Sequence, residues 1–115
     1  MIWKEPVTIK LIFLIFSRPF IWCKAFRRFS DYQPRKKQAM EQVAELMKSD
    51  YPDVDKLELV EKKWTNLLAT YRKREDMYRT HRTDKQWKYR GYMAFMKFGL
   101  DQQEQIYKWL VDRAS

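Results

Sequence analysis

The sequence predicts an all-α domain with a three-helix core and additional C-terminal helices. Its 115 residues include only two glycines and four prolines, too few for the many turns of an all-β domain. No stretch alternates polar and apolar residues with period two over a strand's length, whereas several repeat apolar residues at helical spacing. Aromatic residues make up 17% of the chain, which is too rich for a disordered basic tail. We therefore expect one packed helical domain.

The first predicted helix spans about 7–17 and ends before Pro19, which disfavours α conformation at Arg18. It is apolar all round, yet its longest uninterrupted apolar run, 11–16, is too short for a membrane span, and we expect no membrane partner. One face should lie in the core. The other carries a stripe at spacing i, i+3, i+4, i+7, formed by Ile9, Ile12, Phe13 and Phe16.

This second stripe is a candidate protein interface, because two exposed phenylalanines would form an adhesive patch. Two ways of covering this stripe remain possible. Either the C-terminal segment folds back over Phe13 and Phe16, or a partner chain or a second copy docks there.

The second predicted helix begins at Pro34, and its apolar positions are Met40, Val43, Ala44 and Met47. A loop around Pro52 follows. The third helix should open with Asp55 as N-cap and Glu58 completing a capping box. Its core stripe is then Val60, Trp64, Leu67, Leu68 and Tyr71.

A fourth helix is expected over about 84–98, opened by a capping box of Thr83 and Gln86 and stopped by Gly99. A last amphipathic segment, about 101–113, offers Ile106, Trp109 and Leu110. We divide the chain into a helical domain over 1–99 and a C-terminal helical extension over 100–115 that packs on the same domain.

Positive charge is concentrated in two blocks of the sequence. The formal net charge is +9; residues 24–37 carry +5 and residues 62–90 carry +7, whereas residues 38–61 carry −5. Such charge can serve solubility alone. Its clustering favours an anionic partner, and double-stranded DNA fits best.

The polar face of the third helix predicts how DNA would be read. Opposite the core stripe lie Lys62, Asn66, Ala69 and Lys73, flanked by Lys63, Thr65 and Thr70. Asparagine can pair with adenine, alanine can approach a thymine methyl group, and lysine can neutralise phosphate. The alternative is the ordinary solvated face of any soluble helix. In the other block, the expected phosphate clamps are Arg27, Arg28, Arg35, Lys36 and Lys37.

No catalytic, cofactor or metal site is expected. The chain has one His and one Cys, which is too few for a zinc site or a nucleophile–base pair. The only histidine, His81, is expected in a loop, and Cys23 is expected to be a partly buried free thiol.

Four pieces of the sequence, in this order, resemble the MADF domain, a Myb/SANT-like helical module of animal transcription regulators. They are LIFLIFSRPFIW (11–22), KKQAMEQVAEL (36–46), VEKKWTNLLATYRK (60–73) and WKYRGYMAFM (87–96), with Tyr32 between the first two. The resemblance implies a Myb/SANT-like three-helix core, a nuclear role in DNA or chromatin binding, and no catalysis; some members mainly bind proteins. The chain differs at Met40, where the family usually has Trp, at Arg90, where an aromatic is usual, and at Phe13 and Phe16, where charged residues are usual.

Overall fold

The computed structural model describes residues 2–98 and 100–114. These residues are helical, with turns and no β-strand, so the predicted all-α class is confirmed. The α-helices are α1 (Glu5–Phe16), α2 (Pro19–Trp22), α3 (Tyr32–Asp50), α4 (Leu57–Arg79) and α5 (Leu100–Ala114). Two 3-10 turns, Lys24–Arg28 and Ala94–Lys97, precede α3 and α5. Within the described ranges, no helix combines the length and the apolar character that a membrane crossing requires.

The core forms where α1, α3 and α4 turn their apolar faces toward one another. α3 lies at the centre and packs against α1, α2, α4 and the first 3-10 turn. Each helix buries residues at helical spacing, as predicted for most of these positions: Leu11 and Ile15 on α1, Val43 and Met47 on α3, Val60 and Leu67 on α4. At the corner between α1 and α2, the Trp22 indole N–H donates a 3.1 Å hydrogen bond to the Phe16 carbonyl.

The predicted capping box of the third helix is wrong. α4 begins at Leu57, after an extended Lys56, and no side chain caps its first turn. The preceding turn explains the later start. Val54 is buried, and its backbone N–H bonds to the Tyr51 carbonyl at 2.9 Å, so the chain must leave this turn before the helix can begin. The start of α3 also differs from the prediction, but in the opposite direction: α3 begins earlier, at Tyr32.

The predicted helix over 84–98 is also wrong. Thr83 Oγ1 accepts a bond from the Lys85 amide, but loop and turns follow, and only Ala94–Lys97 is a 3-10 turn. Both Tyr89 and Phe95 are buried. In an α-helix these side chains would lie about 120° apart around the axis, too far for both to face the middle of one apolar stripe. The predicted stop at Gly99 lies outside the described residues.

α5 packs on the first 3-10 turn, where the Tyr107 ring lies 5.8 Å from Phe26 and 5.0 Å from Phe29. It does not cover the outer stripe of α1: Phe13 remains 57% exposed and Phe16 41% exposed. The alternative in which the C-terminal segment covers these phenylalanines is therefore wrong. On α5 itself Ile106 is half-buried and Trp109 is exposed, while the Leu110 side chain lies outside the described ones.

Candidate nucleic-acid interface

The polar face of α4 points away from the core. Lys62, Asn66, Ala69 and Lys73 are all exposed, whereas the stripe opposite them, from Val60 to Tyr71, is buried. We call these four residues, with the flanking Lys63 and Thr70, the outer face of α4. In the described part of the chain, no ion pair or side-chain hydrogen bond engages Lys62, Asn66 or Lys73. The amide, the methyl group and the two ammonium groups are thus presented together to solvent.

The spacing along the helix sets the reach of this face. At about 1.5 Å of rise per residue, Lys62 and Lys73 are roughly 16 Å apart along the axis. Asn66 and Ala69 lie between them, one turn apart. For comparison, the major groove of B-form DNA is about 12 Å wide and admits an α-helix.

Lys63 differs from the other lysines of the outer face. It is half-buried, and its Nζ lies 5.7 Å from the centre of the Trp3 ring. Burial, followed by the positive charge of Lys88, lowers its pKa. Thr70 is half-buried as well. These two residues border the outer face of α4 rather than stand in its middle.

Two of the five predicted phosphate clamps are engaged within the protein. The Arg28 guanidinium pairs with the Glu104 carboxylate of α5 and lies 4.8 Å from the centre of the Tyr107 ring. Arg35 pairs with Asp31 at 2.7 Å and also lies 5.2 Å from the Phe20 ring. Both arginines have an anion that a phosphate would have to replace.

The other three clamps have no carboxylate partner among the residues the structure describes. Arg27 and Lys37 are exposed; Lys36 is half-buried, with its Nζ 5.9 Å from the Tyr32 ring. Arg27 and Lys36 border a shallow polar groove that Ser30 and Gln33 also line. We call Arg27, Lys36 and Lys37 the free clamps.

The structure places the outer face of α4 and the free clamps on different elements. Arg27 lies in the first 3-10 turn, and Lys36 and Lys37 lie near the start of α3, which packs against both this turn and α4. α3 therefore connects the two basic surfaces and fixes their separation.

Several basic residues beyond residue 73 are paired with carboxylates within the protein. Glu75 accepts 2.8 Å contacts from both Arg90 and Lys97. The same Arg90 lies 4.2 Å from the Tyr78 ring. Arg79 and Arg82, which belong to the second basic block of the sequence, both pair with Asp76. Lys88, missed because a regular helix was expected there, belongs near Lys63 at the border of the outer face of α4.

The single Cys and His are not part of any site that the structure describes. Cys23 is a buried free thiol whose pKa is raised by burial, and its Sγ lies 3.9 Å from Gln103 Oε1. His81 stands in the loop after α4 with a φ of 57°. Among the described residues, no three His, Cys, Asp or Glu side chains cluster so that they could hold a metal ion.

The chain matches a known protein family. The MADF family, described as "Alcohol dehydrogenase transcription factor Myb/SANT-like", matches residues 11–96. That range includes α2, α3, α4 and both basic surfaces described above. The comparisons with curated proteins and with solved structures found no match.

Proposed function

Because this chain belongs to the MADF family of Myb/SANT-like domains, we propose that it is the DNA-binding domain of a nuclear transcription or chromatin regulator. In this proposal α4 enters the major groove of double-stranded DNA, and the free clamps hold the phosphate backbone. The domain acts by binding and carries out no reaction, and it needs no cofactor.

The observation that carries the proposal is the orientation of α4. Its buried stripe fixes the helix against α3, so Asn66 and Ala69 face outward without an internal partner. In the groove, the Asn66 amide would bond an adenine edge and the Ala69 methyl group would contact a thymine methyl. Lys62 and Lys73 would neutralise phosphates on either side.

The clamps would set the register of the protein on the duplex. Arg27, Lys36 and Lys37 are available without breaking an ion pair. Arg28 and Arg35 would join them only after exchanging Glu104 and Asp31 for phosphate oxygens, which a guanidinium also binds.

The test compares Asn66→Ala with Lys37→Ala, two exposed positions with different roles in the proposal. Asn66→Ala should lower affinity for a selected DNA site by about 1–3 kcal/mol while leaving affinity for random DNA nearly unchanged. Lys37→Ala should weaken selected and random DNA alike. Binding is measured by fluorescence anisotropy at two salt concentrations. Equal losses on both DNAs for Asn66→Ala would contradict base reading by α4, and no binding at about 50 mM salt would contradict DNA binding altogether.

A second candidate function is protein docking through α1. It is favoured by the exposure of Phe13 and Phe16 on a helix whose other side is in the core. Ile12, predicted in the same stripe, is only 2% exposed and belongs to the core, and Ile9 is half-buried. The two phenylalanines therefore dominate the open part of the stripe.

A further inference from the structure

Phe13 is a projecting ring with an apolar hollow on each side. The first hollow lies between α1 and the turn at 91–95, where Gly91 carries no side chain and Phe16, Tyr92 and Phe95 form the walls. The second runs along α1 toward its N-terminus and is lined by residues that include Glu5, Pro6, Ile9 and Leu14. We call Phe13 and these two hollows the α1 face.

We propose that the α1 face binds a second copy of the chain, with the two α1 helices packed antiparallel around a two-fold axis. In a symmetric dimer the same surface must supply both the projection and the depression that receives it. The α1 face has both, so each Phe13 can enter a hollow of the other copy. This inference rests on the second candidate function above and does not depend on DNA binding.

Charge favours this contact between like molecules. Two copies with a formal charge of +9 each repel one another through their basic surfaces. The only charged residues of α1 are Glu5 and Lys10, and Lys10 already pairs with Asp50 of α3. Contact through α1 therefore brings few charges of like sign together.

The two ends of α1 are complementary in the antiparallel arrangement. Glu5, at the N-terminus, has only a 3.9 Å contact with Lys88. Arg18, just after the C-terminus, bonds the Leu14 carbonyl and Gln42 and has no described carboxylate partner. Antiparallel packing brings Glu5 of each copy toward Arg18 of the other, which forms two equivalent ion pairs across the interface.

The exposed area indicates a weak dimer. Aromatic side chains present roughly 150–250 Å² each, so the open fractions of Phe13, Phe16 and Tyr92 amount to about 300 Å² per copy, or about 600 Å² over both copies. A stable interface buries about 1,200–2,000 Å² over both partners. Association should therefore depend on concentration in solution and be strengthened where two copies occupy adjacent DNA half-sites.

Sedimentation equilibrium of the chain without DNA tests the inference. For the wild type, the weight-average mass should rise from 14.3 kDa toward twice that value as concentration increases to about 1 mM. Phe13→Glu should stay at the monomer mass. The matched control is Leu46→Glu on α3, which changes an equally apolar side chain that is 41% exposed and should behave as wild type. A wild type that remains monomeric, or a Phe13→Glu variant that self-associates like it, would overturn the proposal.

A charge-reversal series tests the antiparallel orientation of the two α1 helices without changing the phenylalanines. Glu5→Arg should weaken self-association by roughly ten-fold, and adding Arg18→Glu should restore most of it. Failure of the double variant to recover, with its helix content unchanged by circular dichroism, would contradict antiparallel packing.

Binding of the apolar dye anilinonaphthalene sulfonate separates this inference from the docking function. If the wild type is monomeric and the Phe13→Glu variant shows lower dye fluorescence than the wild type, the proposed binding of a second copy is overturned. That result would support docking of another protein on the α1 face. Unchanged fluorescence would contradict the docking function itself.

Discussion

At the scale of single residues, the contacts of Arg28 show whether its charge is free, which a count of charges in the sequence cannot reveal. Its guanidinium already has an anionic partner and an adjacent aromatic ring within the protein, which Glu104 and Tyr107 of α5 supply. Glu104 lies 76 residues away along the chain. No local pattern around Arg28 could therefore indicate that this clamp is occupied.

Removing the Glu104 charge should make Arg28 available to DNA. We expect Glu104→Gln to raise affinity for random DNA severalfold and to steepen the slope of log affinity against log salt by about 0.9, because one more phosphate is neutralised. Anisotropy titrations over a range of salt concentrations measure both. Glu41→Gln is the control: it removes the same charge from an exposed position of α3 that has no described ion pair. Equal effects of the two variants would mean that net charge alone is responsible.

Glu75 predicts an acid-dependent loss of stability. Its hydrogen bond with Arg90, followed by that with Lys97, holds the pKa of this carboxyl below its usual value near 4.5. Because folding favours the ionised form, the stabilisation is present above that usual value and is lost as the pH falls through the lowered pKa. Glu75→Gln should therefore cost about 1 kcal/mol of unfolding free energy at pH 7 and much less near pH 3.

Urea denaturation at the two pH values measures this difference. Glu61→Gln serves as the control, since Glu61 is an exposed acid on the same helix without a described ion pair. A cost for Glu75→Gln that is the same at both pH values would show that the side chain acts through packing and not through its charge.

At the scale of elements, the segment after α4 is held by polar contacts rather than by its own helix. The Tyr78 hydroxyl accepts a 2.6 Å hydrogen bond from the Trp87 amide and donates one to the Lys85 carbonyl. Glu75 pairs with Arg90 and Lys97. Together with the hydrogen bonds of Tyr78, these ion pairs attach the turns over 85–97 to the C-terminal half of α4. This attachment helps to hold Phe95 against Trp22, 4.9 Å between ring centres.

Tyr78→Phe should loosen that segment selectively. Losing the hydroxyl leaves the Trp87 amide without its described acceptor, which costs about 1 kcal/mol and should speed hydrogen exchange at that amide roughly five-fold. Tyr92→Phe is the matched control, because Tyr92 is exposed and has no described hydrogen bond. Exchange at Trp87 that is equally slow in both variants would contradict the role assigned to Tyr78.

Helical periodicity predicted α1, α3 and α4 because in these elements burial and the 3.6-residue repeat coincide. Met40, Val43, Ala44 and Met47 follow the i, i+3, i+4, i+7 pattern, and all but the half-buried Ala44 are buried in the core. The same reasoning failed over 84–98, where Tyr89 and Phe95 are buried by turns contacting different neighbours. It failed again at Asp55, because the position of the first helical turn follows from the buried Val54, a tertiary contact that local capping rules do not include.

At the scale of the whole molecule, the structure divides the positive charge into free and paired groups. The described part of the molecule is flattened and extends over 45 × 37 × 18 Å. Its radius of gyration is 15.3 Å, compared with about 13 Å for a compact chain of this length. The outer face of α4 could be predicted, since one buried stripe determines its orientation. Which basic residues remain unpaired could be predicted only in part. Asp31–Arg35 and Asp76–Arg79 are pairs one helical turn apart in the sequence, whereas Glu104 and Glu75 find their partners through the fold.

The number of unpaired cations sets the salt dependence of DNA binding. The free clamps together with Lys62 and Lys73 give five phosphate contacts, and each contributes about −0.9 to the slope of log affinity against log salt, so we expect roughly −4.5. If Arg28 and Arg35 exchanged their carboxylates for phosphates on binding, the slope would approach about −6.3. Titrations of random duplex DNA between about 50 and 200 mM salt distinguish these values. A slope near zero would contradict both, because a protein held to DNA by neither surface would release no counterions, and its positive charge would then serve solubility rather than binding.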